Sequence, residues 1–298
     1  MLQPELDPEK LTHQTVQRIL SSIQRLRPLP TNVSRVLRAL DDPDTTPLHV
    51  ADLISLDQAL TAYLIRVANS AYLGYTLPCS SVSEAVMRLG FKRVRELALS
   101  MAVSGPLTKR LFGYRLGDGA LWSHSVAVAS IAHWFAKSLS YPDPEEAYVA
   151  GLLHDMGKLL LDQYVRADYH RIIEIMWKKK WNLWQVEEHL FGLDHAAVGG
   201  LMASQWQFPT PLADAIRNHH APSLANKHDE LAALVNIANA LSPVDKVALS
   251  SLDGQQIHPE ALGILCLDET LLKRMCSNMR EDFEEYEQRK PLAIYQSN

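Results

Sequence analysis

The sequence has no long hydrophobic run, few cysteines and no recognisable leader. None of its 298 residues lies in an apolar stretch approaching the roughly 18 residues that a bilayer-spanning helix needs, so we expect no transmembrane segment. The opening segment MLQPELDPEK is polar and acidic, unlike a secretory signal. The 3 cysteines are too few and too dispersed for a disulfide framework. These absences favour a protein of the reducing cytoplasm.

The chain also lacks an excess of positive charge. Lys and Arg number 29 against 34 Asp and Glu, which gives a net charge of −5. That balance argues against a nucleic-acid-binding protein. At 47% hydrophobic residues, the chain is also too apolar for a disordered protein. We therefore expect a globular protein with a sizeable core.

Strand-like alternation is missing too, and apolar residues instead recur at spacings of three and four almost throughout. We predict an all-α fold, with Gly90 ending one helix and a loop or loosened helix end at 104–119. The predicted helices are 16–26, 33–40, 48–56, 60–70, 81–90, 92–103, 120–139, 168–180, 182–191, 194–206, 210–219, 229–241, 259–265 and 268–288.

A central apolar helix is predicted to follow YPDPEEA and to continue through AYVAGLLHDMGKLLL at 147–161. It would place His154 and Lys158 on one face, with Asp155 about a third of a turn away. Buried Asp and Lys are costly unless paired or liganded. Imidazole with carboxylate suits iron, manganese, zinc or nickel. The alternative is a polar turn at a helix end, with Gly157 as its C-cap.

Further histidines lie in other predicted helices. His124 lies mid-helix, His195 opens a helix, and His219 and His220 end another. Each has an ordinary alternative: a satisfied core histidine, an N-terminal helix residue or a partner of a helix dipole. Because facing helices build metal sites from convergent side chains, we predict that these histidines share one polar pocket.

These motifs resemble the HD superfamily of metal-dependent phosphohydrolases. The chain is more specifically similar to the HDOD domain, a bacterial signalling relative, over about residues 26–242. The resemblance implies an HD-like helical bundle preceded by an N-terminal helical subdomain. The segments that carry it are LRPLP, DDPDTTPLHVADLISLDQALTAYLIRVANSAYLG, SVSEAVMRLGFKRVRELAL, LWSHSVAVA, GLLHDMGK, FGLDHAAVG and NHH.

The resemblance also implies a ligand set. His124, His154 and Asp155 occupy the first three metal-ligand places of catalytic HD proteins, whereas Asn239 stands where the family pattern expects a final Asp. An amide is a poorer ligand than a carboxylate and adds no negative charge.

Two-metal relatives have further ligands, and a lysine that contacts substrate phosphate. The matching residues are His195, His219, His220 and Lys158. The segment after the histidine pair is HHAPSL, so the similarity to HD-GYP cyclic-di-GMP hydrolases stops there.

Two functions follow from the resemblance. The first is a non-catalytic regulatory domain of signal transduction that binds protein partners or a small ligand, and Asn239 favours it. The second is a phosphohydrolase acting on a nucleotide or phosphate ester, with Lys158 and Asp155 in catalysis. One or two iron, manganese, nickel or zinc ions per chain, or none, fit these readings. A nucleotide or phosphate ligand and a homo-oligomer stay open, and we expect partners in other chains and no membrane contact.

The expected organisation has three parts. Residues 1–14 form an extension, 15–245 the HDOD domain, and 246–298 a helical C-terminal extension. The domain itself divides into an N-terminal helical half at 15–115 and an HD-like half at 116–245.

Overall fold

The helices are described from a computed structural model, which covers residues 8–26, 29–69, 78–242 and 257–289. The fold is all-α, and within those ranges the only β pairing is an isolated bridge between Leu111 and Leu116. The helices are α1 (Pro8–Gln24), α2 (Thr31–Asp41), α3 (Pro47–Ser55), α4 (Gln58–Ala68), α5 (Val82–Leu107), α6 (Ala120–Ser138), α7 (Pro144–Leu153), α8 (Lys158–Ala167), α9 (Tyr169–Lys179), α10 (Leu183–Phe191), α11 (His195–Gln205), α12 (Thr210–Asn218), a 3-10 helix (Pro222–His228), α13 (Asp229–Leu241), α14 (Pro259–Ile264) and α15 (Glu269–Arg289).

Many helices begin where a short polar side chain accepts a hydrogen bond from a backbone N–H of the first turn. The residues that do so include Thr46, Asp57, Ser81, Asp143 and Asp194. Such caps satisfy donors that the helix itself leaves unpaired. As predicted, the segment YPDPEEA starts a helix: Asp143 caps α7, and Pro144 lies in its first turn.

Buried apolar side chains form two clusters. The smaller joins α2, α3 and α4 with the first part of α5, whereas the larger joins the remaining helices, α1 included. Helix α5 contributes to both, with Val94 in the smaller cluster and Leu99 in the larger. Gly90 has non-helical backbone angles, with φ 74° and ψ 163°, so α5 consists of two helices that meet at a kink, and the prediction that Gly90 ends a helix is confirmed.

The predicted central helix is wrong in one respect, because the chain breaks it into two. Helix α7 ends at Leu153, residues 154–157 form a turn, and α8 starts at Lys158. His154 and Lys158 therefore do not share one helix face. The alternative of a polar turn describes this segment better, although Gly157 has right-handed backbone angles and precedes α8 rather than capping α7.

The segment predicted as a loop at 104–119 is helical at its start. Helix α5 runs to Leu107, and the chain then makes a tight turn closed by backbone hydrogen bonds between Leu111 and Leu116. Over the described ranges, no helix is both long enough and apolar enough to span a bilayer.

Candidate metal centre

The structure brings the six predicted ligands into one buried cluster. Ligand atoms of His124, His154 and Asp155 lie within 4.8 Å of one another, and so do those of a second group. The second group is His195, His219 and His220. The two groups meet where His195 Nε2 lies 3.2 Å from Asp155 Oδ1.

Glycines allow the helices to approach closely enough for this convergence. A Cβ on Gly151 of α7 would lie 2.8 Å from the Cα of Ala129 on α6. A Cβ on Gly157 would lie 1.9 Å from the carbonyl oxygen of His195. Side chains larger than hydrogen would force these elements apart, so the site depends on both glycines.

Backbone carbonyls fix the orientation of two imidazoles. His154 Nδ1 donates to the carbonyl of Gly151 at 2.7 Å, and His219 Nδ1 donates to that of Ile216 at 2.8 Å. This tautomer leaves the Nε2 lone pair of each ring free. The Nε2 atoms of His124 and His154 lie 3.5 and 3.4 Å from Asp155 Oδ2, and within the described part of the chain the buried Nε2 of His219 has no hydrogen-bond partner.

Burial keeps most of the cluster's imidazoles neutral. It lowers the pKa of His124 to about 3, and it holds the pKa values of His219 and His220 well below their usual range, helped by neighbouring histidines. Burial would raise the pKa of Asp155, but His154 and Lys158 hold it well below its usual value. Neutral imidazoles and an ionised carboxylate are the protonation states that bind metal.

Glu187 of α10 is a member of the site that the sequence did not reveal. Its Oε2 accepts from His195 Nδ1 at 2.6 Å and from the His195 backbone N–H at 2.9 Å. Burial alone would lower the pKa of His195, but Glu187 raises it to about 10. With that pKa the ring of His195 carries a proton on each nitrogen at neutral pH, so a metal would have to displace the Nε2 proton. A carboxylate behind a ligating histidine is the usual outer support of metal sites.

Lys158 and Asn239 both lie beside the cluster. Lys158 Nζ lies 2.7 Å from Asp155 Oδ2, and both side chains are buried. Asn239 of α13 is buried, and its side chain lies next to the ring of His124. Ser242 Oγ lies 3.0 Å from His124 Nδ1.

Trp184 was also missed by the sequence analysis as part of the site. Its ring stacks on His220 with centroids 5.4 Å apart and an interplanar angle of 11°. His220 Nε2 in turn lies 2.9 Å from His195 Nε2.

This donor set fits a divalent transition metal. His195 and His220, whose Nε2 atoms lie 2.9 Å apart and share a hydrogen bond, would both turn ring nitrogens toward such an ion. The other imidazole nitrogens and the Asp155 oxygen supply further donors. Imidazoles with a single carboxylate suit zinc, iron, nickel or manganese.

An all-helical bundle with a His and His-Asp cluster defines an HD-like domain. Residues 26–222 match the family model of the HDOD domain, so the chain belongs to the HDOD family, which is related to the HD phosphohydrolases.

Two solved structures resemble the whole fold. An HDOD domain protein of unknown function from Geobacter sulfurreducens has 28% identity and a TM-score of 0.65, covering 92% of this chain and 96% of that one. A protein from Shewanella amazonensis, provisionally named a phosphohydrolase, has 26% identity and a TM-score of 0.63, covering 87% and 93%.

An uncharacterized protein from Treponema pallidum is 26% identical over 223 residues. Those residues are 74% of this chain and 43% of that protein, so the match spans less than half of the relative's length.

Proposed function

We propose that this chain is a regulatory HDOD protein of signal transduction, whose His/Asp cluster binds one divalent metal ion without hydrolysing a phosphate ester. The observation that carries the proposal is the convergence of five imidazoles on the buried carboxylate of Asp155. Burying so many polar groups together is costly, and one bound ion would be shared by several of them.

The charge of the site supports one ion rather than two. Asp155 is the single carboxylate in the two ligand groups found within the described residues, and its Oδ2 already pairs with Lys158. Glu187 is engaged with His195. A second divalent ion would add positive charge to a buried site with no further carboxylate to balance it.

Asn239 argues against turnover. At the place where catalytic relatives are expected to have a final Asp, this chain presents a neutral amide. The charge that would anchor a catalytic metal is therefore reduced by one, while the helical scaffold and the other ligands are retained.

The phosphohydrolase remains a second candidate, because Lys158 lies beside Asp155 where it would contact a substrate phosphate. A bound ion would supply an acidified water and polarise the phosphoryl oxygen. Lys158 would hold negative charge on the phosphate, and Asp155 would hold the ion.

The proposal includes protein partners in signalling. It leaves open whether the chain binds a nucleotide or phosphate ligand and whether it self-associates. The division into an extension, two halves of the HDOD domain and a C-terminal extension, with the boundaries given above, is likewise proposed.

The test is metal content per chain, measured by elemental analysis on protein purified without chelators or metal-affinity tags. We expect close to one equivalent in the wild type and little in His154→Ala. His170→Ala, which removes an exposed histidine on α9, is the matched control and should retain the ion.

Substoichiometric metal throughout the wild-type elution peak would overturn the proposal. The metal-loaded protein should not hydrolyse bis(4-nitrophenyl) phosphate. Turnover that disappears in Lys158→Ala would establish the second candidate instead.

A further inference from the structure

A small hairpin connects α5 to α6 and packs against α8. Leu111 and Leu116 exchange backbone hydrogen bonds of 3.1 and 3.0 Å. Asp162 Oδ1 on α8 accepts from the backbone N–H of Gly113 at 2.7 Å, and a Cβ on Gly113 would lie 2.2 Å from the Asp162 carbonyl oxygen. The hairpin therefore sits in close backbone contact with α8.

The two sides of this hairpin differ in their surroundings. Phe112 is 57% exposed and lies between the guanidinium groups of Arg110 and Arg166, at 5.9 and 5.3 Å from its ring centroid. Tyr114 points inward and is 1% exposed. One short segment thus contacts both solvent and the interior.

Tyr114 reaches the metal cluster through Glu187. Its hydroxyl donates to Glu187 Oε1 at 2.7 Å, while Glu187 Oε2 accepts from His195 Nδ1 at 2.6 Å. Both oxygens of this fully buried carboxylate are therefore engaged, one by the hairpin and one by a candidate ligand.

We infer that Tyr114 is a positioning residue for His195, acting through Glu187, and that it couples the surface hairpin to the metal centre. This inference rests on the proposed metal binding. Without the hydroxyl, Glu187 Oε1 would lack its donor in a buried site, and the carboxylate would no longer be held in the orientation that directs His195 Nε2 to the ion. The coupling is reciprocal, so metal binding must also stabilise the hairpin.

Tyr114→Phe tests the first half of the inference. Since changes behind a metal ligand weaken metal affinity by about 10- to 100-fold, we expect Zn²⁺ to bind about tenfold more weakly. Tyr141→Phe is the matched control, because Tyr141 also donates to a glutamate, Glu146, at 3.2 Å, outside the ligand cluster. Its Zn²⁺ affinity should equal that of the wild type, and an equal affinity for Tyr114→Phe would overturn the inference.

A double-mutant cycle with Glu187→Gln separates positioning from general destabilisation. If Tyr114 acts through Glu187, the double variant should bind Zn²⁺ within about twofold of Glu187→Gln alone. If the affinity losses of the two single variants multiplied in the double variant, Tyr114 would act by another route, and the inference would be overturned.

The reciprocal effect is measured on the wild-type chain, which avoids any loss of folding in a variant. Saturating Zn²⁺ should slow backbone hydrogen exchange across residues 110–116 by at least about fivefold, in line with an ordinary coupling between two sites. If the wild type binds Zn²⁺ but its hydrogen exchange across these residues does not change, only the coupling of the hairpin to the metal centre is overturned. A wild type that binds no Zn²⁺ overturns the proposed function, and this inference with it.

Discussion

At the scale of single residues, Asn239 bears most directly on function. It is buried beside His124, one of the candidate ligands. The amide thus occupies the place of a ligand without supplying a ligand's charge. An aspartate there would be almost isosteric, so the effect of charge can be tested with little change in packing.

Asn239→Asp should tighten Zn²⁺ binding about tenfold or more, because an ionised oxygen is a stronger ligand than an amide. Affinity is measured by competition with a chromogenic chelator. Asn278→Asp, which adds the same charge on an exposed face of α15, should leave affinity unchanged. An unchanged affinity in Asn239→Asp would exclude residue 239 from the ligand set.

Glu96 of α5 is a second residue with a defined pH response. It is 4% exposed, and burial raises its pKa to about 7, with Asp143 and Glu146 also raising it and Arg93 and Lys92 lowering it. Because the folded-state pKa lies above the unfolded value of 4.5, ionisation opposes folding. Protonated Glu96 makes its full contribution to the free energy of unfolding below pH 4.5, and that contribution is lost as the pH rises to about 7.

Glu96→Gln should therefore gain stability relative to the wild type as the pH rises. We expect a difference of about 2 kcal/mol between pH 4.5 and pH 8 in urea unfolding, from about 1.4 kcal/mol per pKa unit, reduced for relaxation. The exposed Glu281→Gln is the control. A stability difference that does not vary with pH would contradict the assignment.

At the scale of elements, the turn between α7 and α8 determines whether the cluster can form. The turn carries His154 and Asp155, and Gly157 allows it to approach His195. Gly157→Ala should lower the free energy of unfolding by about 3 kcal/mol and abolish stoichiometric metal binding, because the added methyl group meets backbone rather than a movable side chain.

Gly105→Ala is the matched control, since nothing lies within 4 Å of a Cβ there and the residue is inside α5. That variant should be as stable as the wild type or more stable, by up to about 1 kcal/mol. Urea unfolding and metal content measure both effects. Equal stability of the two variants would show that the turn can move away from α11.

Sequence periodicity was enough to predict the helices, because their apolar stripes and caps are local features. The break after Leu153 was not predicted, since its apolar neighbours continue the helical pattern and the need for Gly157 arises from contact with α11. Glu187 lies in LWQVEEHLF, where nothing local distinguishes it from Glu188. Its role depends on the distant pairing with His195, which only the fold reveals.

At the scale of the whole molecule, the helices that carry the candidate ligands belong to the larger of the two hydrophobic clusters. Leu64 lies in the smaller cluster and Leu153 in the larger, next to His154, and both are fully buried. Truncation of a buried leucine to alanine costs about 2–5 kcal/mol, so both variants should lose stability.

Only Leu153→Ala should also lose metal affinity. In thermal unfolding, Zn²⁺ should raise the Tm of Leu64→Ala by as much as that of the wild type, and raise the Tm of Leu153→Ala by less, since ligand stabilisation follows affinity. If Zn²⁺ raised the Tm of both variants by equally less than that of the wild type, metal binding would depend on both clusters.

The stacking of Trp184 on His220 has an optical consequence. If His220 binds an ion, the indole stacked on it would lie close enough for an open-shell metal such as Co²⁺ or Ni²⁺ to quench its fluorescence, whereas closed-shell Zn²⁺ would not. Because the chain has 6 tryptophans, the quenching that is lost in Trp184→Phe would be the part that reports occupancy of the candidate centre, without any label.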